Sequence, residues 1–435
     1  MSIASIQLDS SDPQIAFAIR VVKELRNAGW EACWAGGCVR DLLRGFAPGD
    51  YDVATNATPD QVRTLFGRKR TLAVGESFGV IIVLPPEGLS PIEVATFRTE
   101  GTYGDGRRPD SVAFSTAKED AQRRDFTING MFFDPIELRV LDYVGGQADL
   151  AAGIVRAIGD PHARMREDKL RLLRAVRFAA VLGFELDPVT ADAVTEMAPQ
   201  LSVVSVERIA QELRKMLKHQ NRRRAVELCR ATGLLEVVLP GWAAREANAA
   251  HTLSELDQLE QPSFRLALAV LLQSVPNPAL THRKGTLDPD SVRGHCRRLK
   301  LSNDEIDSCL WLHAQQHELD RVTRMSGADL KRLLAHPLSG ELLKWYRAQA
   351  ALRESKGKAY GVLCERKSGW TPADIDPPPL VTGDDLLNMG LKPGPQLKEL
   401  LEAARTAQLN GEVRTADESR TLVQRLAAQA SSPQD

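Results

Sequence analysis

Two acids one residue apart, Asp50 and Asp52 in Asp50-Tyr51-Asp52-Val53-Ala54, have the clearest capacity for chemistry in this chain. The run reads as a strand, and alternation puts both carboxylates on one face. Like charges held so close repel, and a cation between them relieves the cost. A hard ion such as Mg2+ suits them, because it takes one or two protein carboxylates and completes its shell with substrate phosphates. Just upstream, Gly36-Gly37 opens a short amphipathic segment, Cys38 to Arg44, that reads as a helix. Paired glycines leading into a helix let backbone N–H groups approach an anion, and the helix end adds a favourable dipole. Arg40 then stands where it can pair with phosphate oxygens. Taken singly, Asp-x-Asp is commonly a solvated turn and Gly-Gly a bend. In this order and proximity they point to a metal-assisted reaction at a nucleotide phosphate.

Three further stretches carry polar groups in suggestive patterns. Glu93 interrupts the apolar strand Pro91 to Phe97, either facing outward or standing as a third acid near the metal. In Arg123-Arg124-Asp125-Phe126-Thr127-Ile128-Asn129, guanidinium forks match phosphate oxygens, while Asp125 and Asn129 can bond a ribose hydroxyl. From Arg164 to Gly183 the spacing predicts one long amphipathic helix, with Asp168, Arg171, Arg174 and Arg177 along its polar side. An ion pair within that helix is the ordinary reading of Asp168 and Arg171. Their hydrogen-bond inventory allows another. Arg supplies only donors and ionised Asp only acceptors, so together they match a base edge with a ring acceptor beside an amino group, which cytosine and adenine share. Uracil and guanine present the reverse and would leave buried groups unpaired.

These motifs, in this order, resemble the class II branch of the DNA polymerase β-like nucleotidyltransferases, which holds bacterial CCA-adding tRNA nucleotidyltransferases and poly(A) polymerases. The resemblance is dense over the first half, through Gly-Gly with Asp50-x-Asp52, Glu93-Val94-Ala95-Thr96-Phe97-Arg98, Arg123-Arg124-Asp125-Phe126-Thr127-Ile128-Asn129 and Glu167-Asp168-x-x-Arg171; it is looser over the last sixty or so residues. It departs at Gly130, where the family has Ala. The resemblance implies that Asp50, Asp52 and Glu93 are catalytic, with Mg2+ on Asp50 and Asp52. It implies nucleotide binding by Gly36, Gly37, Arg40, Arg124, Asp125, Asn129, Asp168, Arg171, Arg174 and Arg177. Asp105, Arg107 and Arg108 fall in a glycine-rich stretch, Arg98 to Asp110, read as a loop that in such relatives helps switch from cytosine to adenine. The implied partners are the tRNA 3′ end, CTP and ATP, with pyrophosphate released. A poly(A) polymerase, a CC-only or A-only enzyme, and a non-catalytic RNA-binding relative remain open alternatives.

The elements that must position these residues read as an α+β protein, a small mixed-sheet head followed by an all-α neck, body and tail. The expected divisions are 1–158 (head), 159–233 (neck), 234–370 (body) and 371–435 (tail, tRNA-binding). Ile154 to Ile158 is expected to complete the head, Trp370 to Pro379 to be a linker, and Ala427 to Asp435 to be disordered. The body carries no His-Asp pair in Phe264 to Val275, so no phosphohydrolase activity is expected there. A net charge of −1 over 435 residues excludes a global attraction to nucleic acid, so RNA contacts must be local, as at Arg222-Arg223-Arg224. Six cysteines without C-x-x-C spacing suggest reduced thiols. With neither a signal-like start nor a run able to span a bilayer, a cytoplasmic protein is expected, as monomer or homodimer and without a membrane partner.

Overall fold

The computed structural model describes residues 8–9, 11–75, 79–100, 112–242, 246–273 and 292–431. The chain divides into two compact units, Met1–Ala243 and Ala244–Asp435.

Strands of the first unit are short and rich in Ala, Val and Ile: β1 Ala32–Ala35, β2 Asp52–Thr55, β3 Thr71–Gly75, β4 Val80–Val83, β5 Ile92–Thr96, β6 Arg98–Glu100, β7 Val112–Phe114, β8 Phe132–Asp134 and β9 Arg139–Leu141. Seven of them form one sheet in the order β3-β4-β5-β2-β1-β8-β9. Every neighbouring pair is antiparallel except β2 and β5. Strands β6 and β7 make a separate ribbon, so the stretch read as a loop from Arg98 begins instead as a strand. Asp105, Arg107 and Arg108 lie outside the described residues.

The two faces of this sheet differ. On one, Trp34, Val53 and Val94 are buried, and helix α1, Pro13–Asn27, packs on β1 and β2, with Trp34 Nε1 donating to the Ala18 carbonyl at 3.4 Å. On the other, Cys33, Ala35 and Ala54 are small, and Ala117 and Ala121 of a helix pack on them. Small facing residues let backbones approach closely. That helix, α4 (Ala117–Arg123), follows α2 (Gly37–Leu43) and α3 (Pro59–Phe66) in the chain. It starts at Thr116 through a reciprocal capping box with Glu119.

After α5 (Gly146–Ala152), the expected single neck helix is two, α6 (Pro161–Glu167) and α7 (Leu170–Leu182). The break is at Asp168, with φ −141° and ψ 106°. Its carboxylate accepts from the Leu170 N–H at 3.0 Å, so the side chain competes with helix continuation. All residues of α7 except Arg174 and Val181 are buried. Such a helix is wrapped on every side, here in part by α9 and α10; α8 is Pro188–Met197, α9 Val206–Lys218 and α10 Arg222–Ala231. A further correction concerns Ile154–Val155: strand β10 pairs with β11, Glu185–Leu186, rather than with the head sheet.

The second unit is helical in its described residues. Its core gathers Leu266 to Leu272 with Trp345 and Tyr346. Glu255, fully buried, accepts from Trp345 Nε1 at 2.9 Å, Gln273 Nε2 at 2.8 Å and Arg353 Nη2 at 3.2 Å, which satisfies a charge that would otherwise be costly there. The Pro-rich stretch read as a linker is tied down: Arg405 donates to the Pro377 carbonyl at 2.6 Å and Gln408 to that of Pro378 at 2.7 Å. Helix Ala416–Ser431 covers the first part of the stretch expected to be disordered, because Val423 buries in a cluster with Leu386 and Leu400 and the helix continues past it; 432–435 lie outside the described residues. None of the described helices is long and apolar enough to cross a membrane. All six cysteines are free thiols, and five are buried.

Candidate active site

Strand register assembles the acids. Asp52 opens β2 directly opposite Ala35, the last residue of β1, and lies beside Glu93 across the parallel β2–β5 pair. Paired positions project to one face, so Asp52 and Glu93 share the small-residue face under α4. Asp50 is exposed and precedes the strand, a correction to the sequence reading. The ladder has no rung for it, because beyond Ala35 the chain turns away at Gly36, with φ +75°. Tyr51, buried against Trp34 with ring centroids 4.8 Å apart, anchors the segment between the two acids.

The acids lie close enough to act on one another's charge. Burial, then the charges of Asp50 and Glu93, push the Asp52 carboxyl up to about 6, and Arg124 opposes the shift. Among the described residues, no hydrogen bond or ion pair engages the Asp52 side chain. The Gly36-Gly37 turn sits alongside, since the buried Cys38 thiol donates to the Ala35 carbonyl at 3.3 Å and burial keeps it protonated. A Cβ at Gly36 would stand 3.0 Å from Arg124 Nη1, so glycine lets that guanidinium close on the turn. Among the described residues, no group of three or more His, Cys, Asp or Glu side chains is placed to hold a metal by itself. Two carboxylates completed by substrate oxygens is the donor set a Mg2+-like ion accepts.

The arginines and amides are brought together, but each is engaged. Arg40 donates to both oxygens of Asp41 at 2.9 Å and to Asn129 Oδ1 at 2.7 Å. Arg124 and Arg123 both clasp buried Asp120, at 3.0 and 2.6 Å. Burial alone would raise Asp120, yet the two guanidiniums hold it below the usual carboxylate range. Asp125 accepts from Asn129 Nδ2 at 3.2 Å and from Arg174 Nε at 2.8 Å. Against the upward push of burial, Arg174 keeps it down to about 2. Arg177 pairs with buried Glu212 of α9. Phe178 lies under three guanidiniums, with Arg177, Arg174 and Arg40 at 3.8, 5.2 and 5.5 Å from its ring centroid.

Asp168 and Arg171 do not pair with each other. Asp168 receives a fork from Arg208, at 3.1 and 2.6 Å. Arg171 bonds Glu167 and donates to the carbonyls of Arg164 at 2.9 Å and Arg123 at 3.1 Å. The helix break separates them, with Asp168 in extended backbone and Arg171 in the first turn of α7. Arg222, Arg223 and Arg224, read as possible RNA contacts, bond the Leu217 carbonyl, Glu227 and Glu185 respectively. Sequence reasoning missed Asp120 and Glu212. The i,i+3 and i,i+4 spacing of Asp120 to Arg123 and Arg124 was a readable signal; nothing local marks Glu212, which reaches Arg177 from a separate helix.

A mixed sheet bearing adjacent acids, followed by an arginine-lined helical neck, defines a nucleotidyltransferase of the polymerase head class. Residues 32–156 match the family model of the poly A polymerase head domain, and 183–245 that of the probable RNA and SrmB-binding site of polymerase A. The chain belongs to the CCA-adding enzyme family: it is 36% identical to the CCA-adding enzyme of Bacillus licheniformis over 403 residues, covering 91% of this chain and 94% of that one. To the enzyme of Geobacillus stearothermophilus it is 34% identical over 408 residues, 92% of this chain and 94% of the relative. The crystal structure of the Bacillus stearothermophilus CCA-adding enzyme in complex with CTP superposes with a TM-score of 0.78 at 30% identity, covering 96% of this chain and 99% of that one. The Thermotoga maritima CCA-adding enzyme complexed with tRNA shares the fold, with a TM-score of 0.69 at 20% identity and 99% of each chain covered.

Proposed function

We propose that this chain adds CCA to the 3′ end of tRNA from CTP and ATP, releasing pyrophosphate, in the cytoplasm, with Asp50 and Asp52 holding Mg2+. The observation that carries the reading is Asp52, a carboxylate raised to about 6 by burial and by two neighbouring acids, with Arg124 as its opposing charge. Such a group is poised for a divalent ion, which would supply Lewis-acid stabilisation of charge at the α-phosphate and activation of the RNA 3′-OH. Glu93 adds negative potential on the same face. Gly36 and Gly37 leave room for the triphosphate, and Arg40 and Arg124 turn toward it by exchanging Asp41 and Asp120 for phosphate oxygens. Asp125 and Asn129 face the ribose, with Arg174 fixing Asp125.

Base choice follows from the hydrogen bonds left over. Arg208 and the Leu170 N–H occupy three of the acceptor positions of Asp168, leaving one on Oδ2 for an amino group. Arg171 keeps its Nε–H and one Nη2–H for a ring nitrogen. Cytosine and adenine, with a ring acceptor beside an amino group, satisfy both at once; uracil and guanine, with a ring N–H beside a carbonyl, do not. Arg177 and Glu212 hold the helix that presents these groups. The test is to incubate the protein with tRNA ending before CCA, with Mg2+ and CTP, ATP or both, and to sequence the products. CCA is expected; an A-tract, CC alone, A alone or no extension each contradicts the reading.

A further inference from the structure

Within the second unit a cavity of about 580 Å³ is lined by Trp311, Gln315, Arg321, Arg324, Arg332 and His336, with others. Trp311 and His336 stack face to face, with centroids 3.8 Å apart and planes 7° from parallel. The Leu338 N–H donates to His336 Nδ1 at 3.1 Å, which selects the tautomer with hydrogen on Nε2, and burial lowers the imidazole's pKa so that it stays neutral near pH 7. A flat, uncharged platform that carries one Nε2–H donor is therefore part of the wall.

The charges around it are unevenly spent. Two acids also line the wall: Arg321 bonds Glu318, and Arg332 reaches Asp329 at 3.8 Å, Glu402 at 3.1 Å and Thr406 at 2.7 Å. Arg324 is exposed, and among the described residues its guanidinium has no partner. A stacking surface beside an unspent guanidinium matches a ligand that carries a flat ring and a phosphate, and the volume falls within the roughly 300–1,000 Å³ of small-molecule sites. An open cleft with one unspent cation holds a free nucleotide weakly. A nucleotide delivered on a polymer bound elsewhere arrives at high effective concentration.

We propose that this cavity seats a single unpaired nucleotide of the RNA substrate, its base against the Trp311–His336 stack and its phosphate on Arg324. The proposal rests on the tRNA reading above. Its test measures RNA affinity directly, by fluorescence anisotropy with labelled tRNA ending before CCA, alongside steady-state extension, for the full chain and for Arg324→Glu and His336→Ala variants of unchanged melting temperature. Both variants are expected to weaken RNA binding and raise the RNA KM roughly five- to tenfold, leaving the CTP KM and kcat as they were. Arg324→Glu should also lower the salt dependence of binding by about one ion. Unchanged RNA affinity in either variant overturns the seat; if only Arg324→Glu acts, the cleft is a charged surface without a base platform. Millimolar CMP or AMP should not compete with RNA, and competition that Arg324→Glu abolishes would assign the cavity to free nucleotides instead. A wild-type chain that binds RNA yet extends nothing removes the tRNA-extension reading, while the ratio of affinities still decides the seat.

Discussion

Two clusters of carboxylates in the first unit are built on opposite terms. Around the neck, four acids are held by arginines: Asp125 by Arg174, Asp120 by Arg123 and Arg124, Glu212 by Arg177, and Asp168 by Arg208. At the edge of β2, Asp52 has other acids as neighbours and its pKa rises, while those of Asp125 and Asp120 fall. Paired charges hold a surface in one geometry before substrate comes. An unpaired acid keeps its attraction for something brought in with the substrate. On the proposed reading, the contrast separates the half of the site that would recognise substrate from the half that would react with it.

Neutralising the reactive half gives the largest effect. Asp52→Asn should lower nucleotide addition by about 10³-fold or more, since several kcal/mol of charge stabilisation go with the ion, without lowering the melting temperature. A loss of activity under tenfold in a single-turnover extension assay would break the contrast. Cutting the recognising half works the other way. Glu212→Ala strands buried Arg177 and should destabilise the unit by about 3–5 kcal/mol, read by urea denaturation; a cost below about 1 kcal/mol would mean the pair is not fixing the helix.

The two halves also titrate with opposite sign. Asp52 has a folded pKa of about 6, above the ordinary value of 3.8, so its ionisation works against folding. Stability should rise as pH falls from 6 toward 4, by on the order of 2–3 kcal/mol. Asp125, held at about 2, stabilises above pH 4, and that contribution is lost as pH falls toward 2. Asp52→Asn should remove the upper limb alone, and a variant that keeps the rise between pH 6 and 4 would reassign it.

Smaller effects test the packing between the halves. At Gly130 a Cβ would lie 2.7 Å from Val144 Cγ2 and 3.0 Å from Ile158 Cδ1, closer than packed side chains tolerate, so Gly130→Ala should cost about 1–3 kcal/mol. A neutral Gly130→Ala in thermal melts would show that Val144 and Ile158 can give way. Arg171→Ala should admit UTP or GTP. Because Arg171 is buried and bonds Glu167 and two carbonyls, it should also cost some stability, which position on a helix face alone did not suggest.

What the sequence revealed and what it concealed divide along the same line. The strand that carries Glu93, the short helix after Gly36-Gly37, the mixed-sheet head and the helical second half were legible, because alternation, caps and turns act over a few residues. The break at Asp168 was hidden: helical periodicity runs through it, and the carboxylate's partners, the Leu170 N–H and Arg208 of another helix, appear only in the fold. Asp50 looked like a strand residue because the alternation of Asp50-Tyr51-Asp52-Val53-Ala54 suits one; the turn of the neighbouring strand at Gly36 denies it a partner. Pairings such as Arg177 with Glu212 depend on the packing of separate helices, which no local pattern encodes.

The central claim is that Asp52 binds a divalent ion together with the incoming triphosphate. It is tested most directly by electron paramagnetic resonance with Mn2+ as a reporter, titrated into the protein with CTP at pH 7.5 and at pH 5. One tightly held ion is expected at pH 7.5, weakened severalfold at pH 5 as Asp52 protonates, and absent in Asp52→Asn at either pH. Equal Mn2+ binding by Asp52→Asn and wild type would contradict the account.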